Sequence, residues 1–273
     1  MMKSNTLNIN NKNGVTYITF PKLEKTGLVR HIFSTKIGGV SPYPYGPMNM
    51  SFNNDKKENV IKNYELLCDC VGIDTSHLVL SKQTHTNNVM VVDKGHCGTG
   101  YTKPSFEDID GLITNQSGVA LVTQYADCTP LIFCDTVKKV IATSHSGWRG
   151  TVQEIGKVTV LKMQEEFGCE PSNIIACIGP CISKCCYEVD TPVYAAFQKL
   201  KYLDLNKIFT DKGGGKYWLN MIEANKQILL NAGIKEENMD ISDLCTNCNS
   251  DMLHSHRATN GQRGTIGVII ELI

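Results

Sequence analysis

Residues 126–150, ADCTPLIFCDTVKKVIATSHSGWRG, place two metal-ligating side chains at the ends of apolar runs. Cys128 precedes LIFC, and His145 closes VIAT just before a Gly-Trp-Arg-Gly turn. A third candidate, His85, closes the earlier run LVLSKQTH. Neither Cys128 nor His145 stands where a core side chain is needed, so a Cys and two His can converge at one edge of a sheet. That is the ligand set of an open zinc site, in which the metal lowers the pKa of bound water to about 7. The same residues also read as a buried Cys and hydrogen-bonded histidines. A third reading is a metal-free hydrolase with Cys128 as nucleophile and His145 as its base.

The neighbours of these residues add chemistry. Asp127 either orients a ligand imidazole or caps the following turn. Gly147 and Arg149 open an expected helix, where backbone N–H groups and a guanidinium would hold an anion such as phosphate, unless Arg149 is simply a solvated surface residue. Trp148 either anchors that helix or stacks on a flat ligand. Cys245 and Cys248, followed by His254 and His256, have the CxxC spacing of a structural zinc knuckle. Arg257 and Arg263 are further candidates for anion contact, or solvated loop residues. The HxE and PCxxC signature of the zinc base deaminases is absent. A multicopper centre needs paired His-x-His motifs, and only His254 and His256 form one.

These residues must be positioned by a mixed sheet. VTYITF, VRHIFS, HLVLSKQ, NVMVV, LIT, VALVTQY, LIFC, KVIAT, IIACI and TIGVIIEL read as strands, rich in β-branched and aromatic residues. Consecutive strands with tight connections argue for a mixed or antiparallel sheet over a doubly wound one. Helical periodicity covers residues 56–71, with Asn54 or Asp55 as N-cap and Gly72 as terminator. Further helices are expected over 151–167, from about Pro192, and over 220–232. Residues 206–216 read as a charged, Gly-rich connection, and CISKCCYEV as an irregular loop in which Cys185 or Cys186 points inward. Residues 1–14 read as a polar N-terminal arm, and 15–273 as a single α/β (α+β) domain of mixed β-sheets covered by helices.

The 273-residue chain carries 27 basic and 27 acidic residues. That balance removes the electrostatic case for nucleic acid or an anionic membrane as partner. There is no apolar segment of membrane-spanning length or export signal, so the expected location is the cytoplasm. The twelve cysteines are accordingly read as thiols or thiolates, with Cys134 and Cys177 acting as small core residues.

The strings QTH (83–85), DGLIT (110–114), ADCTPLIF (126–133), SHSGWRG (144–150), IGPCISKCCYEV (178–189) and SHRATNGQRG (255–264) closely resemble the laccase-domain family. Its members, formerly labelled polyphenol oxidases, are regarded as zinc-dependent purine nucleoside phosphorylases with adenosine deaminase activity. The resemblance runs from about Arg30 to the C-terminus and implies a zinc ion on His85, Cys128 and His145. It implies phosphorolysis of adenosine, inosine, guanosine and methylthioadenosine, and hydrolytic deamination of adenosine, with zinc acting on the attacking oxygen of phosphate or water. Arg149, Lys36 and Arg257 would then bind substrate or phosphate, and Asp127 would serve in proton transfer. Three departures bear on substrate preference: Lys36 replaces a common Arg, Thr86 a Gly, and His256 a Tyr. A copper oxidase and a non-catalytic purine- or metal-binding module remain as alternatives, and the sequence sets no oligomeric state.

Overall fold

The runs LIFC and VIAT are apolar on both faces because both faces of their strands are covered, which is what an inner sheet of a layered fold requires. In the computed structural model, which describes residues 2–53 and 55–273, the strands are β1 (Asn8–Lys12), β2 (Val15–Thr19), β3 (Val29–Ser34), β4 (Leu78–Leu80), β5 (Val89–Val91), β6 (Gly111–Thr114), β7 (Ala120–Tyr125), β8 (Thr129–Asp135), β9 (Val140–Ser146), β10 (Ile174–Ile178), β11 (Glu188–Asp190), β12 (Phe209–Gly213), β13 (Lys216–Leu219), β14 (Met239–Ile241) and β15 (Ile266–Leu272). The helices are α1 (Pro21–Thr26), α2 (Lys57–Val71), α3 (Trp148–Val152), α4 (Ile155–Phe167), α5 (Thr191–Phe197), α6 (Leu205–Ile208), α7 (Met221–Asn231) and α8 (His256–Thr259).

Two six-stranded mixed sheets form the centre, in the orders β1-β2-β3-β15-β7-β4 and β14-β10-β8-β9-β6-β5. A small sheet, β11-β13-β12, stands beside them. Most pairs are antiparallel, while β4 with β7, β5 with β6 and β10 with β14 are parallel. The mixed α/β architecture expected from the sequence is the one observed.

Strand alternation sorts side chains between layers. On β8, Ile132 and Cys134 face the core between the two large sheets, whereas Leu131 and Phe133 face α4 and α7. On β15, Val268 and Ile270 face that same central core and Ile269 faces α2. The order across the molecule is therefore α2, sheet, sheet, α4 with α7. Val60, Tyr64 and Leu67 of α2 are fully buried in this packing. Such burial contributes roughly 1.5–3 kcal/mol for a large apolar side chain.

The sequence-based expectations are corrected in four places. Residues 8–12 are not a frayed arm but an edge strand, β1, paired antiparallel with β2; Met2 and Leu7 are buried. Its polar residues suit an edge with one solvated face. The helix expected over 151–167 is two helices: Glu154 adopts a left-handed conformation (φ 57°), which ends α3 against the small sheet's side and redirects α4 over the large one. Residues 206–216 contain α6 and the arms of the β12–β13 hairpin, turned by three glycines with positive φ at 213–215. Pro21 does more than end β2: it opens α1, where its missing N–H costs nothing. Helix α2 ends as expected at a left-handed Gly72. Of its two expected caps, Asn54 lies outside the described residues, and Asp55 is not the cap: Lys56 holds that position with no side-chain cap bond, and Asp55 accepts from Lys56 N–H (2.7 Å) and the Asn59 side-chain amide (2.9 Å). Among the described residues no helix is long and apolar enough to cross a membrane.

Candidate metal centre

His85 and Cys128 arrive from two connections, and His145 from strand β9, at one end of the two large sheets. The Gln83 side-chain amide pairs with the backbone of Gln124 in both directions (2.8 and 2.7 Å), extending the edge of β7 and delivering the chain to His85. His85 has a left-handed backbone (φ 69°) and an exposed ring. Cys128 follows Asp127, whose φ of 87° makes the reversal between β7 and β8. His145 lies within β9 and is buried, not at an open turn as its sequence position suggested.

One ligand atom from each of the three residues lies within 4.8 Å of the others, an arrangement able to hold a metal ion. His85 Nε2 is 3.8 Å from Cys128 Sγ, and the two imidazoles meet edge to face at 4.9 Å. Gly147 makes this approach possible. A Cβ there would stand 2.7 Å from His85 Cδ2 and 3.1 Å from Cys128 Sγ.

Asp110 organises the group, a role that the sequence reading did not assign. It has no solvent exposure, and its Oδ1 is 2.7 Å from His145 Nδ1. That contact directs the other ring nitrogen, Nε2, toward the cysteine. The same carboxylate accepts backbone N–H bonds from Thr84, His85 and Thr86 (3.0, 3.0 and 2.9 Å) and the Thr86 hydroxyl (2.9 Å). A carboxylate behind a ligating histidine is the usual support of a metal site. The sequence signal for it was an acid immediately before Gly111 and an apolar strand, where no surface charge is expected.

The electrostatics follow from this packing. Burial opposes the charge of Asp110, but the bonds from His145 and the backbone outweigh it and bring its pKa down to about 2. Burial likewise opposes ionisation of Cys128, yet the His145 charge and hydrogen bonds from His145 and His85 bring the thiol down to about 6. Burial works against His145 protonation too, and the Cys128 and Asp110 charges raise it to about 9. The metal-free group is thus a thiolate–imidazolium pair over a fixed carboxylate, already holding the sulfur in its ligating form.

A cleft of about 720 Å³ opens over the three residues. Its size falls in the range of small-molecule sites. Phe52, Trp148 and Tyr187 offer aromatic faces, and Arg149, Arg257 and Arg263 offer charge. The Arg149 guanidinium lies over the Trp148 ring at 4.4 Å. Trp148 lines the cleft and also packs against the cluster around α5 and the small sheet. Arg257 donates to the carbonyls of Cys186 and Glu188 (3.1 and 3.2 Å), and Arg263 has a buried Nε without a protein partner.

Other expected residues are placed differently. Asp127 does not orient an imidazole: its Oδ1 accepts from the Thr246 hydroxyl (2.6 Å) and its Oδ2 from Arg257 N–H (2.7 Å). Lys36 is not among the cleft-lining residues; its ammonium donates to the carbonyl of Ser250 (2.9 Å), because residues 36 and 250–252 pack together. His254 is buried with Nε2 3.2 Å from the Met48 carbonyl, and His256 lines the cleft, so neither joins Cys245 and Cys248. Those cysteines gather instead with Cys185 and Cys186, neither of which is buried.

This architecture agrees with the comparisons to known proteins. A family model described as multi-copper polyphenol oxidoreductase laccase matches residues 30–273. The chain belongs to this family. Within it, the chain is 38% identical to the purine nucleoside phosphorylase YlmD of Bacillus subtilis, over 85% of this chain and 84% of that protein. It is 32% identical to a purine nucleoside phosphorylase of Bacteroides thetaiotaomicron, over 92% and 95% of the two chains. The crystal structure of the hypothetical protein YfiH of Bacillus licheniformis superposes with a TM-score of 0.92 at 30% identity, covering 97% of this chain and 99% of that one.

Proposed function

We propose that this protein is a zinc-dependent purine nucleoside phosphorylase that also deaminates adenosine. The observation that carries this reading is the cleft itself, which a carboxylate-backed His–Cys–His group and three arginines line together. The names of the relatives in the family support the phosphorylase assignment.

The residues present fit a zinc ion. They offer two imidazoles and a thiolate, donors that zinc prefers, with Asp110 holding His145 and the cleft leaving one side open. Bound there, zinc supplies positive charge and Lewis acidity at the floor of the cleft. Arg263, whose buried Nε has no protein partner, and Arg149 at the rim bind phosphate. Arg257 is positioned by Asp127 and by two carbonyls, so Asp127 contributes by holding that arginine rather than by moving a proton. Phe52, Trp148 and Tyr187 supply the flat surfaces against which a purine stacks. Lys36, bonded to the Ser250 carbonyl and outside the cleft lining, is not assigned to phosphate in this reading.

The donor set disfavours copper oxidase chemistry. Of the seven histidines only His85, His145 and His256 line the cleft, and His31 and His254 are buried against backbone groups. Too few remain for a multicopper centre. The twelve free cysteines favour a reducing compartment, and we place the reaction in the cytoplasm.

The test is release of hypoxanthine from inosine, with and without phosphate, and ammonia release from adenosine. Turnover of inosine is expected only with phosphate, and Cys128→Ala is expected to lose both activities. Phosphate-independent turnover, full activity in Cys128→Ala, or tight purine binding with no turnover would overturn the reading.

A further inference from the structure

A second group of donors lies outside the His–Cys–His centre. Cys185, Cys186, Cys245 and Cys248 bring their sulfurs within 4.8 Å of one another. Cys248 Sγ is 3.5 Å from Cys185 Sγ and 3.4 Å from Cys186 Sγ. A disulfide requires about 2.0 Å, and all four cysteines are free. Sulfurs placed tetrahedrally about one zinc ion at about 2.3 Å stand about 3.8 Å apart, a spacing inside the range found here. Four sulfurs this close surround one ion; a multi-iron cluster holds its cysteines farther apart, on its outside.

The backbone is built to bring the four together. Cys181 and Cys245 form a parallel bridge, in which Thr246 N–H donates to the Cys181 carbonyl (3.0 Å). Each pair of ligands then sits on its own turn. Cys186 N–H donates to Ser183 O (2.9 Å), and Asn249 N–H to Cys245 O (3.1 Å). Ser183 N–H donates to Cys245 Sγ (3.4 Å), the contact by which backbone amides support metal-bound thiolates. Cys245 is buried, while Cys185 and Cys248 are exposed, so an ion can enter from solvent.

We propose that Cys185, Cys186, Cys245 and Cys248 form a tetrathiolate site for a single structural zinc ion, which clamps residues 181–188 to residues 244–249. Four thiolates select a soft or borderline ion over magnesium or calcium, and four protein ligands leave no open position for chemistry. The clamp braces one wall of the cleft. Residues 181–188 carry Ile182 and Tyr187, which line it, and the carbonyls that fix Arg257; Thr246, on the other side, holds Asp127. The site stands independently of the reaction proposed for the cleft.

The experiment loads the full chain with Zn2+ in reducing buffer and removes loosely bound metal. About two zinc ions per chain are expected in the unaltered protein, about one in Cys185→Ser/Cys248→Ser, and about one in Cys128→Ala. Replacing zinc by Co2+ in Cys128→Ala is expected to give the strong thiolate-to-cobalt absorption of a four-sulfur site. In the unaltered protein, zinc is expected to protect Cys185 and Cys248 from alkylation, a readout that needs no variant to fold. A zinc content in Cys185→Ser/Cys248→Ser equal to that of the unaltered protein, unprotected thiols in the zinc-loaded protein, or a Cys186–Cys248 disulfide persisting in reducing buffer would overturn the proposal. Retention of two zinc ions in Cys128→Ala would count against the cleft's metal and not against this one.

Discussion

At the scale of single residues, the most consequential side chain is a carboxylate with no exposure to solvent. Asp110 accepts three backbone N–H groups from residues 84–86 while its Oδ1 holds His145. A charge so buried is tolerable only when its acceptor capacity is used. On the far side of His145, the Cys128 thiol is brought down to about 6 by that imidazole, so in the metal-free protein the thiolate forms as pH rises through that value. Alkylation of Cys128 in metal-stripped protein is therefore expected to accelerate between about pH 5 and 7 and to level off above, well below the ordinary thiol range near pH 8.5. In Asp110→Asn, His145 loses the anion that favours its charged form, and the midpoint is expected to move to higher pH. A midpoint near that of an ordinary thiol in the unaltered protein would contradict the ion-pair description.

At the scale of elements, the turn from β9 into α3 does two things. It ends a strand that carries His145, and it supplies the one residue without a Cβ between His85 and Cys128. Gly147 has an ordinary φ of −70°, so its need is for space and not for backbone freedom. Gly147→Ala is expected to push the two ligands apart at an overpacking cost of about 1–3 kcal/mol. With that cost on the metal-bound state, zinc affinity drops about 5- to 150-fold, measurable by chelator competition, while far-ultraviolet circular dichroism stays unchanged. Unaltered affinity would show that the ligands can move aside at no cost.

At the scale of the whole molecule, β15 joins the two halves of its sheet, lying between β3 from the N-terminal region and β7 from the centre of the chain. All seven of its residues are buried. Removing residues 266–273 would leave β3 and β7 without partners on facing edges and expose the layer under α2. The truncated chain is expected to lose cooperative unfolding in denaturant; a sharp transition with an unchanged slope would refute this. The same sheet carries Gln124, which pins the entry to His85, so the candidate metal centre depends on a strand from the far end of the sequence.

The sequence by itself determined most of the parts. Runs rich in β-branched and aromatic residues marked the strands, Gly72 ended α2, and the ADC, QTH and SHSGWRG strings marked the three residues that meet as a candidate metal group, because these signals are local in the chain. What only tertiary structure decided were the partnerships. Asp110 rather than Asp127 supports His145, Lys36 bonds a carbonyl instead of lining the cleft, and Cys245 and Cys248 meet Cys185 and Cys186 instead of the nearby histidines. The reason is physical. A carboxylate, an ammonium or a thiol finds its partner across sheet order and loop packing, and the pairs named here lie 35 to 214 positions apart in sequence.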